Sequence, residues 1–277
     1  DVGPGIHTVV RQIVSEALGA KPDRIQVRVE DTDSSPYDSG TGGSKSTNST
    51  GHAAHQAARE LREKILALAA RQMGCAPEEI REAKGRFVAP GRKAMSFEDL
   101  TRLAVAENGG SISHLSLYEP GHGAAVTGFA TQVAEVEVDP DTGQVKVHRI
   151  TTVHDSGRVL NHLTYQGQVD GGVVTGLGFA LMEENPIVDG RISTLNLGEF
   201  KIPTAQDIPK LTTVLLQGAT GPVPFEGKAV AEIPNVPTAA AIANAVADAV
   251  GVRIFELPLT AERIYWELKG QKLGTRI

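Results

Sequence analysis

Cysteine is nearly absent from this sequence, and its scarcity excludes several kinds of site. Cys75 is the only cysteine among the 277 residues, so the chain can form neither an internal disulfide nor a cysteine-based zinc or iron–sulfur site. A reducing, cytoplasmic location fits a chain with a single thiol. Aromatic residues make up only 4% of the sequence, which argues against a core dominated by large rings.

Long apolar runs and blocks of like charge are missing as well. No stretch approaches the roughly 20 apolar residues that a membrane-spanning helix needs. The net charge of −6 carries no long basic or acidic block, so neither nucleic acid nor an anionic membrane is expected as a partner. The length and a hydrophobic content of 40% suit one large domain or two subdomains.

Glycine, by contrast, is plentiful, with 30 residues. A chain of this kind makes tight turns and close backbone approaches. Five of these glycines fall in one predicted helix, where each costs about 1 kcal/mol against alanine unless something packs on the backbone. The five are Gly167, Gly171, Gly172, Gly176 and Gly178, and close packing is expected at the last four.

Periodicity and capping signals predict the elements of both halves. The first half reads as a helix to Leu18 stopped by Gly19, a half-buried strand over 25–30, a polar loop over 31–50, a helix over 51–72, a strand pair within 77–90 and a helix that Ser96 caps. The second half reads as a hairpin of 130–138 with 145–153, a glycine-rich helix that Asn161 caps, strands and loops over 186–216, a helix over 239–250, a strand over 253–257 and a helix that Thr260 caps.

These elements alternate without a strict βαβ rhythm, which favours an α+β fold with mixed sheets and packed helices. Two α+β subdomains are expected, over 1–125 and 126–277. The first residues, Asp1–Thr8, already read as a strand-to-helix turn and not as a signal peptide. The natural polypeptide is therefore expected to be longer.

Three separated sets of motifs follow one another along the chain. They are Asp1–Thr8 with Asp31–Asp33 and Gly42–Thr47, then Val153–Arg158 with Gln166–Gly172 and Gly176–Gly178, and finally Gly227–Glu232 with Ala241–Ala245 and Gly251–Thr260. In kind and order they resemble the C-terminal half of the molybdopterin-binding subunit of the xanthine dehydrogenase/aldehyde oxidase family. The resemblance covers nearly the whole chain and implies the fold of that region.

The resemblance implies a molybdopterin cofactor with molybdenum, expected in the cytosine dinucleotide form by similarity to bacterial members. In that family the protein supplies no direct metal ligand. Backbone N–H groups in glycine-rich turns and at helix starts suit anionic phosphates because donors and helix dipole point the same way. The positions that match the cofactor cradle are Gly3, Gly5, Gly42, Gly43, Ser44, Ser46 and Gln168.

Glu232 matches the family's catalytic glutamate. The implied reaction is oxidative hydroxylation of an electron-poor carbon, in an N-heterocycle or an aldehyde, with water as the oxygen source. Such chemistry needs a general base, and burial in a dry pocket raises a carboxylate's pKa toward the working pH. The nearby Pro234 and Pro237 predict a stiff mount for this side chain. The alternative is a surface carboxylate at the start of a helix.

The chain departs from the family pattern at three positions. Pro4 stands where many members have glutamine, and proline offers neither an N–H nor a side-chain amide. Ala229 and Ala231 stand where glycines are common. These departures support a second hypothesis, that the chain is a non-catalytic scaffold or cofactor-handling module of the same fold.

Other titratable side chains are expected to serve outside catalysis and cofactor binding. His154 and Asp155 are neighbours on a predicted strand, so they point to opposite faces and cannot easily act together. Lys228 is expected to be solvated, with steering of an anionic substrate as the alternative. Packing, solvation or ordinary hydrogen bonding is expected for Glu183, Glu184, Glu199, His7, His52 and His55.

The family's substrate-contacting residues belong mainly to its N-terminal half, which this sequence does not contain. Neither a cysteine cluster nor a flavin fingerprint is present. The expected partners are therefore that N-terminal half, a subunit or domain with 2Fe-2S clusters, one with FAD, and a small-molecule substrate, within an oligomer. The sequence does not identify the substrate.

Overall fold

The computed structural model describes residues 1–270 except 30, 34, 36, 39, 84, 120–127, 217 and 219. The chain divides into two units. Unit 1 comprises Asp1–Ala124 and Pro222–Phe225, and unit 2 comprises Ala125–Gly221 and Glu226–Ile277. The predicted boundary between residues 125 and 126 lies outside the described residues and stays a prediction.

Within the described part of the chain, no helix has both the length and the apolar character needed to cross a membrane.

The described residues of unit 1 form helices packed with a small antiparallel sheet. The helices are α1 (Ile6–Leu18), α2 (Ser46–Met73) and α3 (Phe97–Asn108), and the strands are β1 (Arg81–Ala83), β2 (Arg86–Val88) and β3 (Met95–Ser96). Strand β2 pairs antiparallel with β1 and with β3. The core contains Leu18, Ala58, Ile65, Leu68, Ala69, Met73, Phe87, Leu100 and Ala104.

Local signals set the ends of α1 and α3 as the sequence predicts. Gly19 ends α1 in a left-handed conformation with φ 68°, which glycine adopts without a Cβ clash. Ser96 caps α3: its hydroxyl accepts from the Asp99 N–H at 3.1 Å, and Asp99 accepts in return from the Ser96 N–H at 2.9 Å. This capping box satisfies donors that the helix itself cannot pair.

Helix α2 begins at Ser46, five residues before the start that the sequence analysis predicts. The polar residues from Ser46 to Thr50 form its first turns, because side-chain polarity alone does not prevent helix formation. Gly51 therefore lies inside the helix, where its Cα faces Ile13 of α1 and Pro224. Ser46 and Thr47 belong to a helix start and not to a loop.

The strand predicted over 25–30 is not formed among the described residues. Ile25 and Val27 are half-buried, and Gln26 and Arg28 are exposed, so the alternation is present as far as Val27. Val29 is 72% exposed, however, and Glu30 lies outside the described residues. Alternation predicts an extended segment, but a strand also requires a neighbour to pair with.

The described residues of unit 2 form a mixed sheet, a hairpin and four helices. The sheet contains β4 (Ala130–Val138), β5 (Val145–Asp155) and β8 (Lys210–Leu216), and the hairpin contains β6 (Ile187–Val188) and β7 (Arg191–Ile192). The helices are α4 (His162–Leu181), α5 (Leu197–Phe200), α6 (Asn235–Val250) and α7 (Ala261–Leu268). Strand β5 pairs antiparallel with β4 and parallel with β8.

The core of unit 2 joins this sheet to α4, α6 and α7. It contains Ile150, Val173, Leu177, Ala180, Ile242, Val246, Leu259 and Ile264. Helix α6 begins at Asn235 and not at Ala239 as predicted, since prolines are tolerated in the first turn of a helix. The strand predicted over 253–257 is wrong: no strand is assigned there, and Phe255 is 88% exposed. The predicted α+β class with mixed sheets is confirmed.

Candidate functional site

Glu232 lies in a turn that leads directly into α6. The turn covers residues 231–234, and the first residue of α6 follows it. The Glu232 side chain is exposed, whereas Pro234 is buried. The dry pocket that was expected around Glu232 is therefore not formed among the residues that the structure describes. What these residues provide is the backbone that holds the carboxylate.

The segment before Glu232 is hydrogen-bonded to the residues that directly follow β5. The N–H groups of Gly221 and Arg158 both donate to the Glu226 carbonyl at 3.1 Å, and Gly157 forms an antiparallel bridge with Gly227. The Lys228 N–H then donates to the Ser156 carbonyl at 3.2 Å. These contacts fix the backbone within a few residues of Glu232.

Two consecutive residues of this segment adopt a conformation that favours glycine. Phe225 has φ 61° and Glu226 has φ 67°. A non-glycine residue in this region costs on the order of 1–3 kcal/mol, and such residues persist only where their surroundings hold them. The hydrogen bonds to Glu226 supply part of that restraint.

A side-chain ion pair adds to these contacts. Lys228 Nζ lies 2.5 Å from Asp155 Oδ2, with side-chain exposures of 9% and 18%. The expectation that Lys228 is solvated is therefore wrong, because Asp155 at the end of β5 gives its ammonium a buried partner. Burial, and secondarily the charge of Asp155, raise the pKa of Tyr165 to about 12.

The segment after Glu232 is held by a second set of contacts. Gln132 Nε2 donates to the Pro234 carbonyl at 2.7 Å, and the Thr238 hydroxyl reaches Gln132 Oε1 at 2.7 Å and the Pro234 carbonyl at 2.8 Å. Thr238 is fully buried. Because Gln132 belongs to β4, this network ties the start of α6 to the sheet.

Glycines of α4 allow α6 to begin against the backbone of α4. A Cβ on Gly172 would lie 2.8 Å from Pro234 Cβ, and one on Gly176 would lie 2.8 Å from Thr238 Oγ1. One on Gly178 would collide with the Glu183 carboxylate. The packing expected there is confirmed. Gly171 is different: it is exposed, with nothing within 4 Å of a Cβ, so the packing expected there is wrong.

Gln168 is half-buried on α4. It lies one helical turn before Gly172, on the helix face that meets Pro234. In unit 2 the fold therefore brings the Gln168 face of α4 next to the turn that carries Glu232.

In unit 1 the Gly42–Lys45 loop leads into Ser46, the first residue of α2, with an open backbone. A Cβ on Gly42 or Gly43 would have no atom within 4 Å. Gly43 has φ 60° and Ser44 has φ 54°, and α2 begins without a side-chain cap. Consecutive left-handed residues ahead of a long uncapped helix aim amides at one region, which suits an anion. This loop fits a phosphate-bearing cofactor.

The turn at Gly3 and Gly5 also aims amides at an anion, and that anion is a side chain of the same turn. Asp1 Oδ1 accepts from the Gly3 N–H at 2.9 Å and from the Gly5 N–H at 3.2 Å, and Asp1 Oδ2 accepts from the His7 N–H at 3.5 Å. A cofactor could take these amides only if the Asp1 carboxylate left them.

His52 and His154 have ordinary partners. His52 Nε2 lies 2.6 Å from the Pro222 carbonyl, and its ring stacks on Tyr118. His154 is 1% exposed and bonds to the Thr152 hydroxyl at 2.7 Å, while burial lowers its pKa. His154 and Asp155 thus have separate partners, as the strand alternation predicts. Among the described residues, no cluster of three His, Cys, Asp or Glu side chains could hold a metal ion.

Two other carboxylates could compete with Glu232 for the role of base. Burial raises the pKa of Glu183, whose carboxylate lies against Gly178. Glu199 Oε2 accepts from the Leu195 N–H at 2.6 Å at the start of α5. Glu183 therefore packs against α4, and Glu199 caps a turn.

A cleft of about 490 Å³ in unit 1 contains none of the predicted site residues. It is lined by Gln72, Met73, Arg92, Lys93, Ala94, Met95, Asp99, Arg102 and Leu103. Its Arg92 already donates to the Gly74 carbonyl at 2.9 Å, and the Asp99 carboxylate accepts from the Ser96 N–H in the capping box of α3.

Three residues that brace the Glu232 turn, Asp155, Gln132 and Thr238, were not predicted to do so. Asp155 lies in the Val153–Arg158 motif, but its partner and those of Gln132 and Thr238 are 73, 102 and 106 residues away in the chain. The signals in the sequence were an acid that ends a strand and a glutamine on the otherwise apolar inward face of another strand.

Comparisons with known proteins identify the family. A family model described as a molybdopterin cofactor-binding domain matches residues 1–209. The xanthine dehydrogenase molybdenum-binding subunit of Escherichia coli O157:H7 is 36% identical over 276 residues, which cover 96% of this chain and 36% of that protein. The aldehyde oxidoreductase molybdenum-binding subunit of Escherichia coli K12 is 33% identical over 270 residues, covering 95% and 35%.

The fold agrees with a solved structure from the same group of proteins. A Cu,Mo-CO dehydrogenase superposes with a TM-score of 0.87 at 26% identity, over 99% of this chain and 36% of that one. The chain thus spans about a third of the length of the relatives it matches. With the family model matching three quarters of its residues, the chain belongs to the molybdopterin cofactor-binding family of xanthine dehydrogenase and aldehyde oxidoreductase molybdenum-binding subunits.

Proposed function

We propose that this chain is the part of a molybdenum-dependent hydroxylase that carries the catalytic base, Glu232. The observation that supports this most is the bracing of the Glu232 turn from both sides, at Lys228 and at Pro234. A general base must be held within hydrogen-bonding reach of the proton that it takes, and braced loops satisfy this better than mobile ones.

The residues proposed to hold the cofactor are those whose backbone or side chains match the family's cradle. Gly42, Gly43, Ser44 and Ser46 would bind its phosphates through amides and hydroxyls at the start of α2. Gln168 would contact the pterin from α4. Gly3 and Gly5 would contribute once the Asp1 carboxylate gives up their amides. We propose the cytosine dinucleotide form.

Bound molybdenum would accept the two electrons that the reaction removes from the substrate. The step of this chain is proton transfer. The Glu232 carboxylate would take a proton from the water-derived oxygen as that oxygen attacks an electron-poor carbon. The substrate class proposed is an N-heterocycle or an aldehyde.

Glu232 is exposed in this chain, whereas catalysis by a general base is favoured in a site that excludes water. We therefore propose that the part of the subunit outside this chain covers Glu232 and supplies most substrate contacts. It would also exclude water, which strengthens the electrostatic interactions around the base. Electrons would leave through 2Fe-2S and FAD centres on other subunits or domains, within an oligomer.

The test is Glu232→Gln in the complete molybdenum-binding subunit, assembled with its partners. Xanthine and benzaldehyde would serve as substrates, with ferricyanide as the electron acceptor. We expect kcat to fall at least about 100-fold, the usual range for loss of a general base. Molybdenum, pterin and the cytidine monophosphate released by acid should stay at parent levels.

Glu183→Gln and Glu199→Gln are the matched controls, because each removes one carboxylate from unit 2 without touching the braced turn. Both should keep the parent kcat. If Glu232→Gln oxidises substrate at the parent rate, the proposed base is wrong. If the parent subunit binds the cofactor but oxidises neither substrate, and Glu232→Gln binds as much cofactor as the parent, the scaffold hypothesis is favoured.

A further inference from the structure

We propose that Asp155 and Lys228 are positioning residues for Glu232, and that their ion pair sets where the carboxylate points. This inference rests on the proposed function. It adds to it two residues that do not themselves touch the reacting atoms. The geometry of the pair, its burial and the short chain between Lys228 and Glu232 support it.

The pair lies where backbone contacts already join two segments. Asp155 is the last residue of β5, and Ser156 directly after it accepts the Lys228 N–H at 3.2 Å. The side chains of Lys228 and Asp155 join the same two segments, with Lys228 Nζ 2.5 Å from Asp155 Oδ2. Backbone and side chain of Lys228 are thus both attached to the end of the central strand.

The surroundings of the pair favour one contact of the Asp155 carboxylate, the one between its Oδ2 and Lys228. The second Asp155 oxygen, Oδ1, is buried and has no hydrogen-bond partner among the described residues. Tyr165, whose pKa the charge of Asp155 helps to raise, lies nearby and forms an apolar cluster with Val159 and Val169, against which Leu215 and Val230 pack. Among the described residues, Asp155 is the carboxylate that pairs with Lys228, and because both side chains are largely buried, salt screens their attraction little.

Glu232 follows Lys228 by only three intervening residues, Ala229, Val230 and Ala231. Val230 packs against the cluster of Val159, Tyr165 and Val169, and its carbonyl accepts the Ile233 N–H at 3.2 Å. A displacement of Lys228 would therefore also displace Glu232, because the segment between them is short and folded. Misplacing a catalytic group by about 1 Å can cost on the order of 100-fold in rate.

A double substitution separates positioning from stability. Removing one member of a buried ion pair leaves an uncompensated charge, whereas replacing both by apolar residues is often neutral for folding. The variants are Asp155→Leu, Lys228→Met and the two combined, in the complete subunit with its cofactor and partners. The measurements are the thermal midpoint, kcat and KM with xanthine and benzaldehyde, and hydrogen exchange over residues 227–236.

We expect each single variant to lower both the thermal midpoint and kcat. In the double variant the midpoint should return close to the parent value while kcat stays about 10- to 100-fold low. KM should change little, and exchange over 227–236 should remain faster than in the parent. The control is Arg62→Met with Glu82→Met, which removes the 2.7 Å ion pair of unit 1 and should change neither kcat nor that exchange.

Recovery of kcat together with the midpoint in the double variant would overturn the proposal, because the pair would then serve stability alone. Parent-level exchange over 227–236 in that variant would overturn it as well. Failure of the proposed function has a separate signature: parent-rate turnover in Glu232→Gln, measured in the same preparation. The two failures are therefore distinguishable.

Discussion

Two glycines on the same helix should respond to alanine in opposite directions. At Gly176 of α4, a Cβ would lie 2.8 Å from Thr238 Oγ1 and 3.0 Å from the Asn235 carbonyl oxygen, and closer still to Thr238 Cβ. At Gly171 nothing lies within 4 Å. Both residues are in the helical interior, so backbone preference is the same at each and packing alone separates them.

The magnitudes follow from two opposing effects. Replacing glycine by alanine in a helix gains up to about 1 kcal/mol of stability. Gly171→Ala should therefore stabilise the chain by about 0.5–1 kcal/mol. Overpacking costs about 1–3 kcal/mol, and at Gly176 the crowding involves a buried, hydrogen-bonded Thr238 and a backbone oxygen, neither of which can rotate away. Gly176→Ala should destabilise by about 1–2 kcal/mol after the helix gain is subtracted.

Thermal unfolding of the parent and both variants, followed by circular dichroism, is the assay. A free-energy difference near 2 kcal/mol corresponds to midpoints about 4–8 °C apart for a domain of this size. Gly167→Ala, at a second open position on α4, should behave like Gly171→Ala. Equal midpoints for Gly176→Ala and Gly171→Ala would refute the close approach of α4 to the start of α6.

Two further predictions concern unit 1. Glu60 accepts hydrogen bonds from Ser116, Gln56 and His114, which hold its pKa at about 2 in place of the usual 4.5. Its contribution to stability is therefore complete above pH 4.5 and is lost as the pH falls toward 2. Urea midpoints of the parent and Glu60→Gln should converge over that range, and a constant gap would contradict the assignment. Ser96→Ala removes the cap of α3 and should cost about 1 kcal/mol in urea unfolding, whereas Thr101→Ala on the same helix serves as the exposed control.

Much of the candidate site could be predicted because its chemistry is encoded in short motifs. The family resemblance is confirmed by the match to residues 1–209 and by relatives over nearly the whole chain. The roles of Glu232, Gln168 and the segment Gly42–Ser46 stay predictions. Sequence reasoning missed the support around Glu232, since a carboxylate such as Asp155 acquires its role only through Lys228, which is 73 residues away.

Local signals alone determined the caps at Ser96, Asn161 and Thr260 and the β4–β5 hairpin, because the interactions involved span only a few residues. Tertiary structure decided which glycines of α4 pack against another element and which are exposed, since the spacing of glycines in the sequence does not say where α6 contacts α4. It also decided that the alternation over 25–29 does not form a strand among the described residues. Pairing and packing depend on partners distant in the chain, and those partners leave no mark on the local pattern.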